Sequence, residues 1–487
     1  MQGGERLDSG LLTEKTLRDL PCPRGLPLIG NLHQVRFDRL HLQLEAWAER
    51  YGDMFVVRYG PIRGLVISDR EAVQRMLIDR PDSFRRPSMI ELTASDMRLK
   101  GVFAAEGEDW RRQRRIVAGA LGRTRLKTLF PQMQVMVGRL KRRWESAADR
   151  QEPVDLCRDL MRFTVDVTMQ VAFGIDANTL ETEGPVIQRH LDKVFPVLNR
   201  RVNSIFPYWR IFRLPSDRVM DRALVALEQE VGDMVQATRE RMAADPDRMQ
   251  APTNFLESIL AALAEEGSGF SDEEVFANAG TLLLAGEDTT ANSIAWAVHY
   301  LTGYPEHFRR ARDEVDALVA PGRIIEDPEQ AGRLPFVDAF CNEVMRLKPV
   351  APLQILETVT EMNILGCRVP KGTPVTILAR RMATRNENFG DGSDFDPDRW
   401  LVPPGERHRP HERQAFIPFG AGPRICPGRS LALLEIRMIL AMLCHNFDLE
   451  AAVAPDEVGA RLAFTMCPVN LSAIRNRTTG ACPTHAP

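Results

Sequence analysis

Residues 419–428 read FGAGPRICPG, which sets a single cysteine, Cys426, between Arg424-Ile425 and Pro427-Gly428. Pro427 suits the first position of a helix, because its missing N–H would find no intrahelical partner there. The helical pattern RSLALLEIRMILAML follows at once, so Cys426 is expected at a helix N-terminus. Free backbone N–H groups and the positive end of the helix dipole favour a thiolate at such a place, making Cys426 a candidate ligand or nucleophile. Gly420 and Gly422 allow turns closed to other residues, while Gly428 leaves no side chain where a large flat ligand would rest on the loop. The plain alternative is a small buried hydrophobe beside a glycine turn.

Ligand chemistry narrows the choice. A nucleophile needs a base beside it, and no catalytic-cysteine signature is present. Zinc needs further Cys or His ligands at short spacing, and the nearest pair, Cys444-His445, lies at the far end of the following helix. Haem iron needs only one protein ligand, and a thiolate suffices.

The rest of the 487-residue chain is globular in composition, 44% hydrophobic and 26% charged, with a net charge of -3 that advertises no nucleic-acid partner. Its eight cysteines show no CxxC pair and no disulfide spacing, which reads as a reduced, cytoplasmic protein. The first twenty residues lack the apolar run of a signal peptide or membrane span, and Glu5, Asp8, Glu14 and Asp19 do not suit a transit peptide. Helical periodicity predicts helices over about 132–147, 158–174, 222–244, 253–266, 272–302 and 304–320. Shorter strand patterns fall at 54–60, 64–68, 373–378 and at NLSAI near the end. With no linker or repeat, the expectation is one unit, mainly α with small β-sheets drawn from distant segments.

The run Phe419 to Gly428 matches the pattern F-x-x-G-x-R-x-C-x-G, and on it the chain resembles the cytochrome P-450 superfamily. The resemblance implies the cytochrome P-450 fold, with haem b between a distal long helix and the Cys-loop helix. It assigns Cys426 as the proximal thiolate ligand of the iron, Arg424 to a haem propionate and Phe419 to the flank of the sulfur. Gly420 and Gly428 complete the cofactor loop.

A second stretch, LLLAGEDTTANSI at 282–294, puts Gly286, two acids and two threonines inside an apolar helical pattern, against helix propensity. A threonine there can bond back to the carbonyl four residues earlier, which for Thr289 is Ala285, and bend or bulge the helix. The order A-G-x-D-T-T resembles the family's oxygen-activation motif. It implies that Thr289 steadies dioxygen and relays protons, that Asp288 feeds the relay, and that Ala285 lies beside the cofactor.

Glu343 and Arg346 form an ExxR pair which, with Arg399, would make a structural network in the family's order. Trp110 and Arg114 lie on one helix face and resemble the WxxxR helix whose members bond haem propionates. Leu356 stands where many members carry another propionate-binding arginine, with Arg380, Arg381 or His411 as possible stand-ins. The surplus Arg111, Arg112, Arg115, Arg429 and Arg437 suggest a basic docking face for an electron donor.

The resemblance covers a single catalytic domain over 21–477, between a flexible segment 1–20 and a tail 478–487. It implies a soluble, bacterial-type monooxygenase without a membrane span, fed NAD(P)H electrons by a ferredoxin or flavodoxin and its reductase. Dioxygen and a small apolar organic molecule would be the substrates, the latter against Thr281, Leu282, Val350, Leu353 and Phe464. A non-catalytic haem-thiolate sensor or carrier is the alternative outside enzymes, and desaturation or oxidative coupling the alternative within them.

Overall fold

The computed structural model describes residues 15–152, 154–182, 186–264, 270–402, 411–450, 454, 457–469, 471 and 475–478. The helices that frame the site are α1 (Leu40–Tyr51), α2 (Gly107–Ala120), α3 (Arg123–Asp149), α4 (Leu156–Phe173), α5 (Val186–Val202), α6 (Pro215–Ala244), α7 (Asp272–Gly303), α8 (Pro335–Leu347) and α9 (Arg429–Asn446). α7 starts with a capping box: the Ser271 hydroxyl accepts from the Glu274 N–H, and the Glu274 carboxylate accepts from the Ser271 N–H. It then runs unbroken for 32 residues, with no bulge at the Gly286–Thr290 stretch.

Packing explains the glycine in its middle. α7 lies most closely on α4, and a Cβ at Gly286 would sit 2.3 Å from the Thr168 hydroxyl. Together with α3, α8 and α9 these helices enclose the largest apolar core, which includes Trp144, Phe163 and Trp296.

The strands come from both ends of the chain. β1 (Lys15–Thr16) pairs in parallel with β7 (Cys367–Val369), whose other neighbour is β6 (Met362–Ile364). A five-stranded sheet has the order β2-β3-β8-β5-β4, built from β2 (Met54–Tyr59), β3 (Ile62–Ile67), β4 (Phe84–Arg85), β5 (Leu353–Thr358) and β8 (Pro374–Leu378). β9 (Phe447–Glu450) pairs with β12 (Arg475–Thr478), and β10 (Gly459–Leu462) forms a hairpin with β11 (Met466–Val469). The hairpin tip is pinned to α7, where Asn292 donates to Thr465 Oγ1 (2.9 Å) and Trp296 Nε1 to the Met466 carbonyl (3.0 Å).

Several expectations need correction. Lys15–Thr16 form a strand and Leu17 is buried, so the chain from Lys15 onward is not a flexible lead. α3 begins at Arg123 and carries Pro131 inside, and α5, absent from the expected helices, carries Pro196. In both, the proline interrupts the periodic pattern, yet the packed apolar face prevails over the lost hydrogen bond. α6 starts at Pro215, where proline occupies the first turn. Of the expected NLSAI strand, only Leu471 lies within the described residues, and the tail from 479 onward lies outside them.

Candidate cofactor site around Cys426

The Cys426 N–H donates to the Phe419 carbonyl at 2.9 Å and closes the loop on itself. With the cysteine tied into the loop, residues 427–428 form a turn and α9 starts at Arg429 with Gly428 as its N-cap, so Pro427 is not the first helical residue. Gly420 and Gly422 take φ of +72° and +67°, and a Cβ at Gly422 would lie 2.1 Å from the Leu77 carbonyl. An added Cβ at Gly428 meets only the Cys426 sulfur, at 3.9 Å, which leaves that side of the loop open to a flat group. Phe419 lies half-buried against the main core, with the Arg429 guanidinium 5.9 Å from its ring.

By surface area Cys426 is exposed, yet protein crowds its sulfur. Both are true of a thiol on an open face with dense walls. Burial is the leading influence and pushes the thiol pKa up; the Gly428 N–H, Arg114, Arg86 and the Arg429 N–H pull the other way. The helix-end N–H groups therefore act as expected, and desolvation outweighs them.

Arginines surround the sulfur. Arg424 is buried, its Nη2 donating to the Ala105 carbonyl (2.9 Å) and to Glu106 Oε2 (2.5 Å), and its guanidinium lies 4.3 Å from the centre of the Trp110 ring. Its Nε and Nη1 have no partner among the described residues. Burial, with Arg80 and Arg114 nearby, pulls its pKa down to about 10 against Glu106. Arg114 is also lowered by burial, opposed by Cys426.

Two members of this cluster were missed from the sequence. Arg86 is pushed down to about 9 by burial and by Arg80 and Arg424, and Arg80 is lowered by burial. Arg80 Nε and Nη2 and Arg86 Nε are buried without partners among the described residues. The available signal was DRPDSFRRPS at 79–88, where Arg80 and Arg86 each stand immediately before a proline.

The stand-ins considered for Leu356 are engaged elsewhere. Arg380 and Arg381 pair with Glu45 and Glu49 of α1. His411 rests against Trp400 and Phe389, with ring centres 4.9 and 5.1 Å away. Leu356 itself is buried within β5, paired with Val375 of β8.

On α7 the helical phase separates two sets of residues. Glu287 and Thr290 are buried, and the Glu287 carbonyl accepts from Thr164 of α4 at 3.0 Å. Ala285 is exposed, while Thr281, Leu282, Asp288 and Thr289 are half-buried. The Thr289 hydroxyl donates to the Ala285 carbonyl at 2.9 Å, the back-bond expected of it, though the helix stays regular. Val350 accepts from the Met466 N–H (2.8 Å), Leu353 opens β5, and the Phe464 ring lies 5.7 Å from Phe195 of α5.

Residues 101–106 bridge α7 and the cysteine loop. Gly101 lies so close to α7 that a Cβ would be 2.3 Å from Thr281 Oγ1, and the Val102 N–H donates to Asn278 Oδ1 at 2.9 Å. At the other end Ala105 and Glu106 hold Arg424. The Asn278 amide continues to Gln113 of α2 at 3.0 Å, so the helix bearing Trp110 and Arg114 belongs to the same frame.

Away from the sulfur, Glu343 accepts from Arg346 (2.8 and 2.7 Å), from Arg399 Nε (3.0 Å) and from Trp400 Nε1 (2.9 Å), fully buried. The expected basic face is partly neutralised: Arg111 pairs with Asp82 and Glu108, Arg112 with Glu274 and Asp109, and Arg437 with Asp338.

A family model described as Cytochrome P450 matches residues 20–471. The chain is 28% identical over 469 residues to Cytochrome P450 2W1 of Mus musculus, covering 92% of this chain and 91% of that one. It is 29% identical over 436 residues to Cyclooctat-9-en-7-ol 5-monooxygenase of Streptomyces melanosporofaciens, covering 88% and 89%. It is also similar to a Bifunctional cytochrome P450/NADPH--P450 reductase of Gibberella moniliformis, 25% identical over 438 residues that make up 89% of this chain and 38% of that one. Animal, bacterial and fungal relatives thus stand side by side, and kinship does not single out the bacterial type.

Proposed function

The chain belongs to the cytochrome P450 family and is a P450 monooxygenase; from that premise we propose that it holds haem b through Cys426 and inserts one atom of dioxygen into an apolar organic substrate. The observation that carries the assignment of residues is a charge imbalance. Arg80, Arg86, Arg114 and Arg424 gather by the cysteine with Glu106 as the carboxylate hydrogen-bonded among them, and buried donors on three of the four are unpaired. Three positive charges are left over; two propionates would offset two of them, while the thiolate charge is shared with the cationic iron porphyrin core. Buried cations without partners are costly, so anions of this kind fit the site.

In this reading Cys426 Sγ ligates the iron, and Arg424, Arg114, Arg86, Arg80 and Trp110 donate to the propionates. Bound haem supplies the iron at which dioxygen is activated with electrons drawn from NAD(P)H. The Thr289 hydroxyl donates to the Ala285 carbonyl, which leaves its oxygen free to accept a hydrogen bond; to relay a proton the hydroxyl would turn off that carbonyl, donate its own proton onward and take another at the same oxygen. Asp288, half-buried one residue earlier, exchanges protons between solvent and Thr289. Thr281, Leu282, Val350, Leu353 and Phe464 form the apolar substrate wall.

A ferredoxin or flavodoxin with its reductase delivers the electrons. Arg429, exposed at the start of α9 and without an acidic partner among the described residues, marks the receiving face. Among the described residues no helix is long and apolar enough to cross a membrane, and the described cysteines are all free, which supports a cytoplasmic setting. The test is turnover of an apolar compound library under heavy-oxygen-labelled dioxygen. One labelled oxygen atom in the product, dependent on NAD(P)H and partner proteins, is expected; products labelled only from water would refute the reading.

A further inference from the structure

We propose that Glu106 is a positioning residue that holds Arg424 in place and keeps the reduction potential of the bound haem low. The inference rests on the haem-thiolate reading above and extends the part of Glu106 from holding Arg424 to setting the potential of the cofactor.

Glu106 is placed as a fixed charge. One carboxylate oxygen accepts from the Arg86 backbone N–H (3.0 Å) and the other from Arg424 Nη2 (2.5 Å), and its side chain is 10% exposed. The chain is anchored on both sides of it. The preceding segment is tied to α7 through Val102 and Asn278, and Gly107, with φ of +57°, turns directly into α2. The carboxylate also acts across space on Arg80 and Arg86.

Two consequences follow. Arg424 has one nitrogen held by Glu106 and the Ala105 carbonyl, so its unpaired Nε and Nη1 are the donors left for the cofactor. Glu106 also contributes a negative charge beside a group that must accept an electron. A fixed negative charge in a dry site disfavours the reduced, more negative state, so removing it should make reduction easier. A merely steric anchor would depend on side-chain shape and not on charge.

The experiment compares Glu106→Gln with Glu106→Asp in the full-length haem-loaded protein, by dithionite titration with mediator dyes. Glu106→Gln keeps the shape without the charge, and its midpoint potential is expected to move positive. Glu106→Asp keeps the charge and is expected to stay at the wild-type potential. If Glu106→Gln fails to retain haem while Glu106→Asp retains it normally, the charge requirement is equally supported. An unchanged Glu106→Gln potential, or equal disturbance in both variants, would overturn the proposal. The carbon monoxide spectrum of the wild type is recorded on the same samples: a band without the thiolate red shift would refute the haem-thiolate reading itself, and is thereby told apart from failure of the Glu106 role.

Discussion

Two clusters of buried charge can be compared within this one molecule. At Glu343 the charges are nearly all engaged: Arg346 places five hydrogen bonds, on Glu343 twice and on the carbonyls of Ala383, Gly392 and Asp394, using every N–H of its guanidinium, and within the cluster only Arg399 Nη2 is buried without a partner among the described residues. Around Cys426, Arg80 and Arg424 are buried and Arg86 and Arg114 half-buried, yet Arg80, Arg86 and Arg424 keep buried donors with no partner among the described residues. The contrast separates two uses of a buried cation. A cluster whose donors are nearly all satisfied within the chain holds the fold, and one that gathers several cations with unsatisfied donors around a single carboxylate marks where a ligand's charge belongs.

The sharpest way to break that distinction is Glu343→Ala. It removes the acceptor for Arg346, Arg399 and Trp400 and leaves uncompensated charge in the interior, with an expected loss of about 3–5 kcal/mol in urea unfolding of the haem-free protein. A loss below about 1 kcal/mol would show that the cluster does not hold the fold.

His41 tests an intermediate case, unsatisfied but uncharged. It is fully buried on α1 with both ring nitrogens unpartnered among the described residues, and burial, with Arg380 and Lys348, pushes its pKa down to about 4 from 6.5. The unfolded chain therefore takes up the proton first, and stability is lost as pH falls from 6.5 toward 4, by at most about 3 kcal/mol. His41→Phe should flatten that slope, and an unchanged slope would assign acid sensitivity to other groups.

Thr289→Ala removes one back-bond on an otherwise regular helix, so unfolding should shift by no more than about 1 kcal/mol. Product formed per NAD(P)H consumed should nevertheless fall, because the relay loses its hydroxyl. Coupling equal to wild type would remove Thr289 from the proton path.

The smallest expected effect on stability is the most instructive. Arg86→Met exchanges an unmatched buried cation for an apolar side chain, and the haem-free protein should be unchanged or slightly more stable, within about 0.5 kcal/mol. Haem retention should drop. If Arg86→Met unfolds the haem-free protein as severely as Glu343→Ala, the two clusters do not differ in kind.

Much of this arrangement was legible in the sequence where the signal is local. The loop glycines, the α7 stretch and the ExxR pair each conflict with, or exceed, what simple periodicity asks, and each reports a backbone or side-chain need within a few residues. The cause was not always the one inferred: Gly286 answers to the close crossing of α4. What stayed hidden is tertiary. Arg80, Arg86 and Glu106 lie more than three hundred residues from Cys426 in sequence, and nothing in RRP or AEG announces which charge they meet. Pro131 and Pro196 misled for the complementary reason, since packing over a whole helix overrode a local breaker.

The most direct test of the central claim is the absorption spectrum of the dithionite-reduced protein under carbon monoxide, for wild type and Cys426→Ser. A strongly red-shifted Soret band in the wild type that is lost in the variant is the predicted result. An ordinary imidazole-type band in the wild type, or a shifted band that survives in Cys426→Ser, would contradict the assignment of Cys426 as the thiolate ligand.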